Sequence, residues 1–142
     1  MTGGCRCGAV RYEVGAVAQL PVYACHCHQC QRWSGSAFSL QALAPEAALT
    51  VEGPIIVYEK TTGDRTSTQR ICATCHTRIY NTNTRRPGVA VLRAGTLDET
   101  AALDCKAHIF TAYKQNWIVL PEGVPQWVEG PPPDEFIAAL MK

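Results

Sequence analysis

The spacing of the cysteines constrains this chain more than any other feature of its sequence. There are eight cysteines, and seven of them fall in three tight clusters, with Cys105 apart. The clusters are Cys5 and Cys7; Cys25, Cys27 and Cys30; and Cys72 and Cys75. Thiolates carried on short turns can reach a common ion, so clusters of this kind are typical of metal ligation. The fold is therefore expected to be organised around bound metal.

The N-terminal sequence indicates the redox environment of these thiols. It reads MTGGCRCGAVRYEV, without the charged segment and long apolar stretch of a secretory signal. We therefore expect a cytoplasmic protein, in a reducing compartment where disulfides are rare. The cysteines then indicate metal ligands rather than a disulfide framework.

The stretch Cys72-Ala73-Thr74-Cys75-His76 fits two different metal sites. Cys-x-x-Cys-His marks covalent haem attachment of the c type, with the histidine as an iron ligand. Cys-x-x-Cys alone marks a tight turn that holds two thiolates on zinc. Haem of the c type is attached outside the cytosol and would leave the other cysteines without a function, so the sequence favours zinc.

Two cysteine pairs together would make a closed zinc site. Cys5-Arg6-Cys7 lies between glycines, which let the backbone turn sharply around an ion. Combined with Cys72 and Cys75, this pair would give four thiolates in a tetrahedron, with zinc–sulfur bonds of about 2.3 Å. Such a site is structural, because no coordination position remains for chemistry.

The middle cluster places three thiolates close together, on Cys25, Cys27 and Cys30. Three protein ligands with an exchangeable fourth position are typical of catalytic zinc. Three thiolates make the ion a weak Lewis acid toward water but a good partner for another soft thiolate, which favours a sulfur-containing substrate. Spacing alone leaves alternatives open, since the N-terminal pair could join this cluster instead, or Cys105 could complete a second structural site.

Two histidines, His26 and His28, alternate with Cys25 and Cys27. In an extended segment alternate side chains point to opposite faces, so both histidines would point away from the metal. We expect them to support the ligands from outside the coordination sphere or to lie at the surface. Cys105 is expected to be a small buried apolar residue, with the role of fourth ligand as the alternative.

Composition excludes several classes of function. The chain has 142 residues, 46% hydrophobic and 18% charged, which predicts one globular domain over residues 1–142. The net charge of +1 comes from scattered residues, so no surface for nucleic acid is expected. The longest apolar runs are too short to span a bilayer, so no membrane association is expected either. Neither a His-Glu-x-x-His nor a nucleobase-deaminase motif occurs, which counts against those zinc hydrolases.

Alternating apolar and polar residues predict a mainly β fold. The predicted strands are residues 10–14, 21–25, 36–43, 55–60, 65–72, 78–81, 89–94 and 107–113, and residues 45–49 form a predicted helical turn. After the Pro131-Pro132-Pro133 stop, residues 134–141 predict a short amphipathic helix. Its apolar face would comprise Phe136, Ile137, Leu140 and Met141.

Motifs spread over nearly the whole chain carry a family resemblance. They are Gly4-Cys5-Arg6-Cys7-Gly8-Ala9-Val10-Arg11-Tyr12, Cys25-His26-Cys27-x-x-Cys30-Gln31-Arg32, Cys72-x-x-Cys75, Ala94-Gly95-Thr96-Leu97-Asp98, His108-Ile109-Phe110 and Gln115-x-Trp117. They resemble the glutathione-dependent formaldehyde-activating enzyme family, which also includes centromere protein V. The resemblance implies a single zinc-binding domain of the β-tent type with two zinc ions. It assigns a structural zinc ion to Cys5, Cys7, Cys72 and Cys75, and a catalytic one to Cys25, Cys27 and Cys30.

One position departs from the family pattern. The family usually has glycine directly after the second cysteine of Cys72-x-x-Cys75, where this chain has His76. Glycine suits a left-handed backbone conformation, which histidine tolerates at some energetic cost. We therefore expect His76 to occupy a left-handed position in a zinc-binding turn.

The activity implied by the resemblance is the condensation of glutathione with formaldehyde, the reaction of a carbon–sulfur lyase. The partners would be a small thiol such as glutathione and a small aldehyde. The thiol would take the open zinc position as a thiolate and attack the carbonyl carbon. Arg32 and His108 are candidates for binding substrate carboxylates or for handling the proton. The alternative is a non-catalytic, zinc-stabilised binding module. A binding role like that of centromere protein V would call for a basic extension of the chain.

Overall fold

The computed structural model of the chain describes residues 1–15 and 17–142. Over these residues its strands are β1 (Thr2–Gly4), β2 (Arg11–Val14), β3 (Val22–Cys25), β4 (Ser39–Pro45), β5 (Leu49–Glu52), β6 (Ile55–Thr62), β7 (Arg65–Cys72), β8 (Arg78–Asn83), β9 (Arg86–Arg93) and β10 (Cys105–Ile109). The helices are α1 (His28–Ser34), between β3 and β4, and α2 (Pro133–Leu140), near the C-terminus. The prediction of a mainly β fold with a short C-terminal helix is confirmed.

Every predicted strand overlaps an observed one, but two strands and one α-helix were not predicted. They are the short strands β1 and β5 and the helix α1. None of the residues of α1 is buried, so this helix has no apolar face that periodicity could reveal. Capping defines it instead, because the Cys27 side chain accepts a hydrogen bond from the Cys30 N–H at its start and Gly35 closes it with φ 65°. The expectation that the segment around His28 is extended is therefore wrong.

The chain divides into two compact units. The first unit comprises residues 1–20, of which residue 16 is not described, and residues 42–102; the second comprises residues 21–41 and 103–142. The division falls within β4. The single domain over residues 1–142 stays a prediction.

In the first unit, β2 lies between β1 and β5 in an antiparallel sheet. Tyr12 of β2 pairs with Gly3, and a Cβ atom added to Gly3 would lie 2.3 Å from the Tyr12 hydroxyl oxygen. Glycine is thus required there for β1 to approach β2. The alternate residues Val10, Tyr12 and Val14 are buried, as expected of a half-buried strand.

The remaining strands of the first unit run antiparallel in the order β9-β8-β7-β6. Ile79 of β8 and Leu92 of β9 are fully buried. β6 is different, because its middle residues Ile56, Val57 and Tyr58 are 46%, 59% and 50% exposed. β6 lies at an edge, paired with β7 on one side only within the part of the chain that the structure describes.

In the second unit, β3 pairs in parallel with β10, so that Ala24 lies opposite His108. All four residues of β3 are buried. β10 ends four residues earlier than predicted, because Phe110 adopts a left-handed conformation, with φ 57°, and a 3-10 turn follows at Thr111–Tyr113. The predicted helical turn in residues 45–49 is present as a 3-10 turn at Glu46–Ala48, in the first unit.

The helix α2 packs through fewer residues than predicted. Phe136 is buried, with its ring edge-on to that of Tyr23 at 4.9 Å between centroids, and Leu140 is buried beside it. Ile137 and Met141 are 54% and 76% exposed, so their assignment to the buried face is wrong. The buried face is a narrower stripe that Ala139 completes. Across residues 1–15 and 17–142, no helix has the length and apolar character to cross a bilayer.

Candidate metal centres

Four cysteines of the first unit converge on one point. The sulfur atoms of Cys5, Cys7, Cys72 and Cys75 all lie within 4.8 Å of one another. The Sγ atoms of Cys5 and Cys7 are 3.4 Å apart, and those of Cys7 and Cys72 are 3.9 Å apart. Tetrahedral zinc with bonds of about 2.3 Å separates its thiolate sulfurs by about 3.8 Å, so the arrangement fits such an ion.

Two tight turns hold these four thiols. After β1, the Cys5 N–H donates to the Val10 carbonyl at 3.0 Å, and the Gly8 N–H donates to the Cys5 carbonyl at 3.1 Å. At the end of β7, the His76 N–H donates to the Cys72 carbonyl at 3.0 Å. His76 has φ 60°, which confirms the left-handed position expected at the place of the family's glycine.

The protonation of the four thiols depends on their crowding. A hydrogen bond from the Thr77 hydroxyl, 3.2 Å from the Cys75 sulfur, lowers the pKa of Cys75 to about 5. The Ala9 N–H lowers the pKa of Cys7, but the neighbouring thiols, Cys5 first among them, raise it to about 11. Several thiolates in so small a volume repel one another without a cation between them. This donor set therefore suits a thiophilic cation such as zinc.

Three cysteines of the second unit form the other cluster. The sulfur atoms of Cys25, Cys27 and Cys30 lie within 4.8 Å of one another, with 3.6 Å between those of Cys25 and Cys27. Hydrogen bonds from Cys25 and Cys30 lower the pKa of Cys27 to about 2, and the same contact with Cys27 raises the pKa of the buried Cys25. The spacing again matches a thiolate tetrahedron, with one corner not supplied by these cysteines.

Two polar side chains that sequence analysis missed support the three-cysteine cluster. The Gln41 side-chain amide donates to the Cys30 sulfur at 3.5 Å, and its carbonyl oxygen accepts the Tyr23 hydroxyl at 2.5 Å. Both residues are buried. Neutral donors of this kind stabilise thiolate charge and orient the ligand. Because Gln41 is far from Cys30 in the sequence, spacing gave no signal of it.

The histidines near the cysteines belong to neither cluster. His26 is buried, and its Nε2 atom lies 3.0 Å from Nδ1 of His108. Burial lowers the pKa of His26 to about 4 and also lowers that of His108, so both rings are neutral at pH 7. His28 is exposed, with its ring 5.1 Å from that of Tyr113. This outcome agrees with the expectation that the histidines act from outside the coordination sphere or at the surface.

Cys105 lies outside both clusters as well. Its thiol donates to the Ala107 carbonyl at 3.4 Å, and its sulfur is 3.9 Å from Nε2 of His108. Burial raises the pKa of Cys105, so the thiol keeps its proton. Cys105 is half-buried rather than buried, and its absence from both clusters counts against the alternative of a fourth ligand.

The two candidate substrate-binding residues differ in their access to solvent. His108 is 7% exposed, whereas Arg32 is exposed on α1 and lines an open groove of about 410 Å³. Gln31, next to Arg32, fixes the wall of this groove. Its side-chain amide donates to the His26 carbonyl at 2.6 Å and to the Tyr113 carbonyl at 2.8 Å.

Comparison with known proteins gives two findings. The sequence profile described as "Glutathione-dependent formaldehyde-activating enzyme" matches residues 1–113. The structure is similar to the crystal structure of a Rhodobacter sphaeroides protein determined as a structural genomics target, with a TM-score of 0.56 and 23% sequence identity. The match covers 70% of this chain and 89% of that chain. At this identity the likeness is evidence for the fold alone.

Proposed function

The chain belongs to the glutathione-dependent formaldehyde-activating enzyme family, and from that premise we propose that it is a zinc-dependent carbon–sulfur lyase. It adds a small thiol, with glutathione as the first candidate, to a small aldehyde such as formaldehyde. The proposal rests on the different number of thiols in the two clusters. Four thiols converge in one cluster and three in the other. In this assignment Cys5, Cys7, Cys72 and Cys75 hold a structural zinc ion, and Cys25, Cys27 and Cys30 hold the catalytic one.

The reaction joins the sulfur of a thiol to a carbonyl carbon. The carbon–sulfur bond forms as the carbonyl π bond breaks, and the thiol proton ends on the former carbonyl oxygen. When bound by Cys25, Cys27 and Cys30, zinc would supply a soft Lewis-acid position that favours the thiolate form of an incoming thiol. Because both reactants are held beside the cluster, the bimolecular addition becomes effectively unimolecular.

The surrounding side chains keep the cluster in place. Gln41 donates to the Cys30 sulfur, and Gln31 holds the carbonyl of His26, between two of the cysteines. Arg32 is exposed and is our candidate for binding a substrate carboxylate. His108 is buried against His26, and we assign it to handling the proton or to supporting this segment rather than to carboxylate binding. The placement of the protein in the reducing cytoplasm is part of the proposal and rests on the N-terminal sequence.

The activity test follows the exchange between formaldehyde and its glutathione adduct. Zinc-loaded protein should accelerate adduct formation over buffer in exchange NMR spectra, and a Cys27→Ser variant with its other zinc site filled should not. If the zinc-loaded protein does not accelerate adduct formation, the assignment of formaldehyde as substrate is wrong.

A cobalt-substituted sample distinguishes an enzyme from a binding module. Thiol addition should change the visible spectrum if the three-cysteine cluster leaves a coordination position open. A spectrum unchanged by small thiols would favour the alternative, a non-catalytic zinc-stabilised binding module.

A further inference from the structure

The strand β6 lies at the edge of its sheet and is open on both faces. Among residues 1–15 and 17–142 it pairs with β7 only. Every residue from Ile56 to Thr62 is exposed, although successive side chains of a strand point to opposite faces. Neither face of β6 is therefore covered by the described part of the chain, and a further strand has room to approach.

β6 also lacks most of the features that protect an edge strand. Its ladder with β7 keeps one register through all eight residues, from Ile55 opposite Cys72 to Thr62 opposite Arg65. The strand contains no proline. Natural edge strands are commonly short, bulged, interrupted by proline or charged. A long and regular edge of this kind is suited to pairing with another strand.

The backbone groups of alternate residues are available for such pairing. The Ala73 N–H donates to the Pro54 carbonyl at 2.9 Å, at the start of the register between β6 and β7. Hydrogen-bonded and non-hydrogen-bonded pairs alternate along an antiparallel ladder. The backbone groups of Ile55, Val57 and Glu59 are therefore directed away from β7, so they can bond to a further strand without disturbing the existing ladder.

The exposed apolar residues of β6 are complementary to themselves. Ile56, Val57 and Tyr58 are each about half exposed, and they are arranged symmetrically about Val57. In two-fold antiparallel pairing centred on Val57, this residue faces its own copy, and each Ile56 faces the Tyr58 of the other chain. Cross-strand pairs of a β-branched and an aromatic side chain are favourable. The occupant that fits this edge is thus a second copy of the same strand.

The charged residues of β6 favour the same register. With the axis at Val57, Glu59 lies opposite Ile55 of the second copy, and Lys60 lies beyond the paired residues. The two Glu59 side chains are then four positions apart, about 13 Å along the strand, where salt screens most of their repulsion. A two-fold axis at Glu59 or at Lys60 would instead place like charges directly opposite each other.

We propose that this protein forms a two-fold dimer in which the β6 strands of two copies pair antiparallel, centred on Val57. The Val57 N–H of each copy donates to the Val57 carbonyl of the other, and Ile55 and Glu59 exchange further backbone hydrogen bonds. One pair of short strands is a small interface, so the dissociation constant is on the order of 100 μM. The dimer requires neither the proposed activity nor a particular metal in either cysteine cluster.

Sedimentation equilibrium of zinc-loaded protein tests the dimer, at concentrations from about tenfold below to tenfold above that constant. The protein should convert from monomer to dimer and assemble no further, because a two-fold interface is closed. Val57→Pro removes the outward N–H and should weaken the dimer about tenfold or more. Val57→Thr keeps the N–H and the shape, so its dimer should be unchanged within about threefold. Thermal melts check that both variants are folded.

A pair of charge variants tests the register. Val57→Glu and Val57→Lys should each be monomeric alone and should form a mixed dimer when combined, because the central residue faces its own copy. Thr61→Lys, on an exposed residue of the same face beyond the paired segment, should still dimerise. This pair decides the outcome if Val57→Pro fails to fold.

Four results would overturn the inference. The protein may not stay monomeric across the concentration range, and it may not assemble beyond a dimer. Folded Val57→Pro may not dimerise like the parent. Finally, Val57→Lys may not dimerise alone, and its mixture with Val57→Glu may not stay monomeric.

Discussion

The two cysteine clusters have similar sulfur–sulfur distances, but they join very different lengths of chain. In the first unit, Cys5 and Cys7 meet Cys72 and Cys75, so the cluster closes a long loop. In the second unit, the cluster spans only Cys25 to Cys30 and is shaped by the start of α1. Closing a long loop costs chain entropy that a bound ion offsets, whereas a local cluster carries little of that cost. Under the proposed function, a similar arrangement of sulfur atoms serves folding in the first unit and chemistry in the second.

The two clusters also differ in the side chains that donate hydrogen bonds to their sulfur atoms. Cys75 receives a hydroxyl hydrogen bond from Thr77, two residues along the chain, and four thiols complete a tetrahedron. Cys30 instead receives an amide from Gln41, which Tyr23 holds in place from β3. The three-cysteine cluster therefore relies on buried side chains for its support and leaves one corner for a ligand.

The largest effect is expected from Cys72→Ser. This change removes a ligand from the cluster that closes the long loop, and structural zinc supplies folding free energy on the order of 10 kcal/mol in small zinc domains. Since total stabilities are about 5–15 kcal/mol, the variant should be insoluble or markedly destabilised. Soluble yield, zinc content and a thermal melt measure this. A variant that melts like the parent would contradict a structural role for the four-cysteine cluster.

Cys27→Ser should separate function from stability. Its cluster is local, so the variant should stay folded, contain about one zinc ion fewer per chain and lose thiol-dependent activity. Elemental analysis beside a thermal melt and the exchange assay gives all three readings. If Cys27→Ser is destabilised as much as Cys72→Ser, the assignment of one structural and one open cluster is wrong. Retention of both zinc ions with full activity would exclude a catalytic role for Cys27.

Opposite substitutions at two left-handed positions should produce smaller, opposite effects. His76 in the four-cysteine cluster and Gly35 at the end of α1 have φ of 60° and 65°. His76→Gly relieves backbone strain and should raise the free energy of unfolding by about 1 kcal/mol. Gly35→Ala introduces the same strain, and because a Cβ there meets no atom within 4 Å, it should lower stability by a similar amount. Denaturant unfolding of zinc-saturated protein measures both, and equal signs would refute the strain argument.

The smallest effect is expected at alkaline pH. Burial raises the pKa of Tyr12 in the first unit to about 12, whereas in the exposed Tyr113 of the second unit a hydrogen bond to Glu129 raises the pKa. The fold favours the protonated phenol of Tyr12. Its contribution to the free energy of unfolding is therefore complete below the unfolded pKa of about 10, and it is lost as the pH rises toward 12. Phenolate absorbance should show that Tyr12→Phe removes a transition near pH 12. Removal of a transition near pH 10 instead would contradict the burial argument.

The sequence predicted the grouping of the cysteines better than the surroundings of each group. Thiol ligands are recognisable because a cysteine next to others within a short turn has few other roles, and all seven clustered cysteines meet as two groups. Which pairs meet came from the family resemblance, since spacing alone allowed another arrangement. The left-handed position of His76 was also predictable, because a glycine preference is a statement about backbone conformation.

The missed features depend on contacts between distant residues. Gln41 and Tyr23 support Cys30 through hydrogen bonds that no sequence spacing encodes. The helix α1 has no buried face, and Cys27 is its N-cap. Because Cys27 was assigned as a metal ligand, its role as an N-cap was not considered. Ile137 was assigned to a buried face of α2 because periodicity gives the direction of a face but not how much of it finds a partner.

The exposed edge strand β6 leaves one row of backbone groups available to a strand of another copy in concentrated solution. The Ala73 N–H donates to the Pro54 carbonyl at 2.9 Å, which marks this pair as hydrogen-bonded in the ladder with β7. Alternation along an antiparallel ladder then directs the backbone groups of Val57 and Glu59 outward, toward any incoming strand. Ile56 and Val57 make this edge apolar and suited to aggregation.

Two adjacent charges limit that hazard. Parallel, in-register stacking of β6 would place each Glu59 over another Glu59 and each Lys60 over another Lys60. Two-fold antiparallel pairing centred on either residue would bring the same like charges face to face. Glu59 and Lys60 therefore act as gatekeepers, and they make the colloidal stability of the folded protein sensitive to salt, which screens their repulsion.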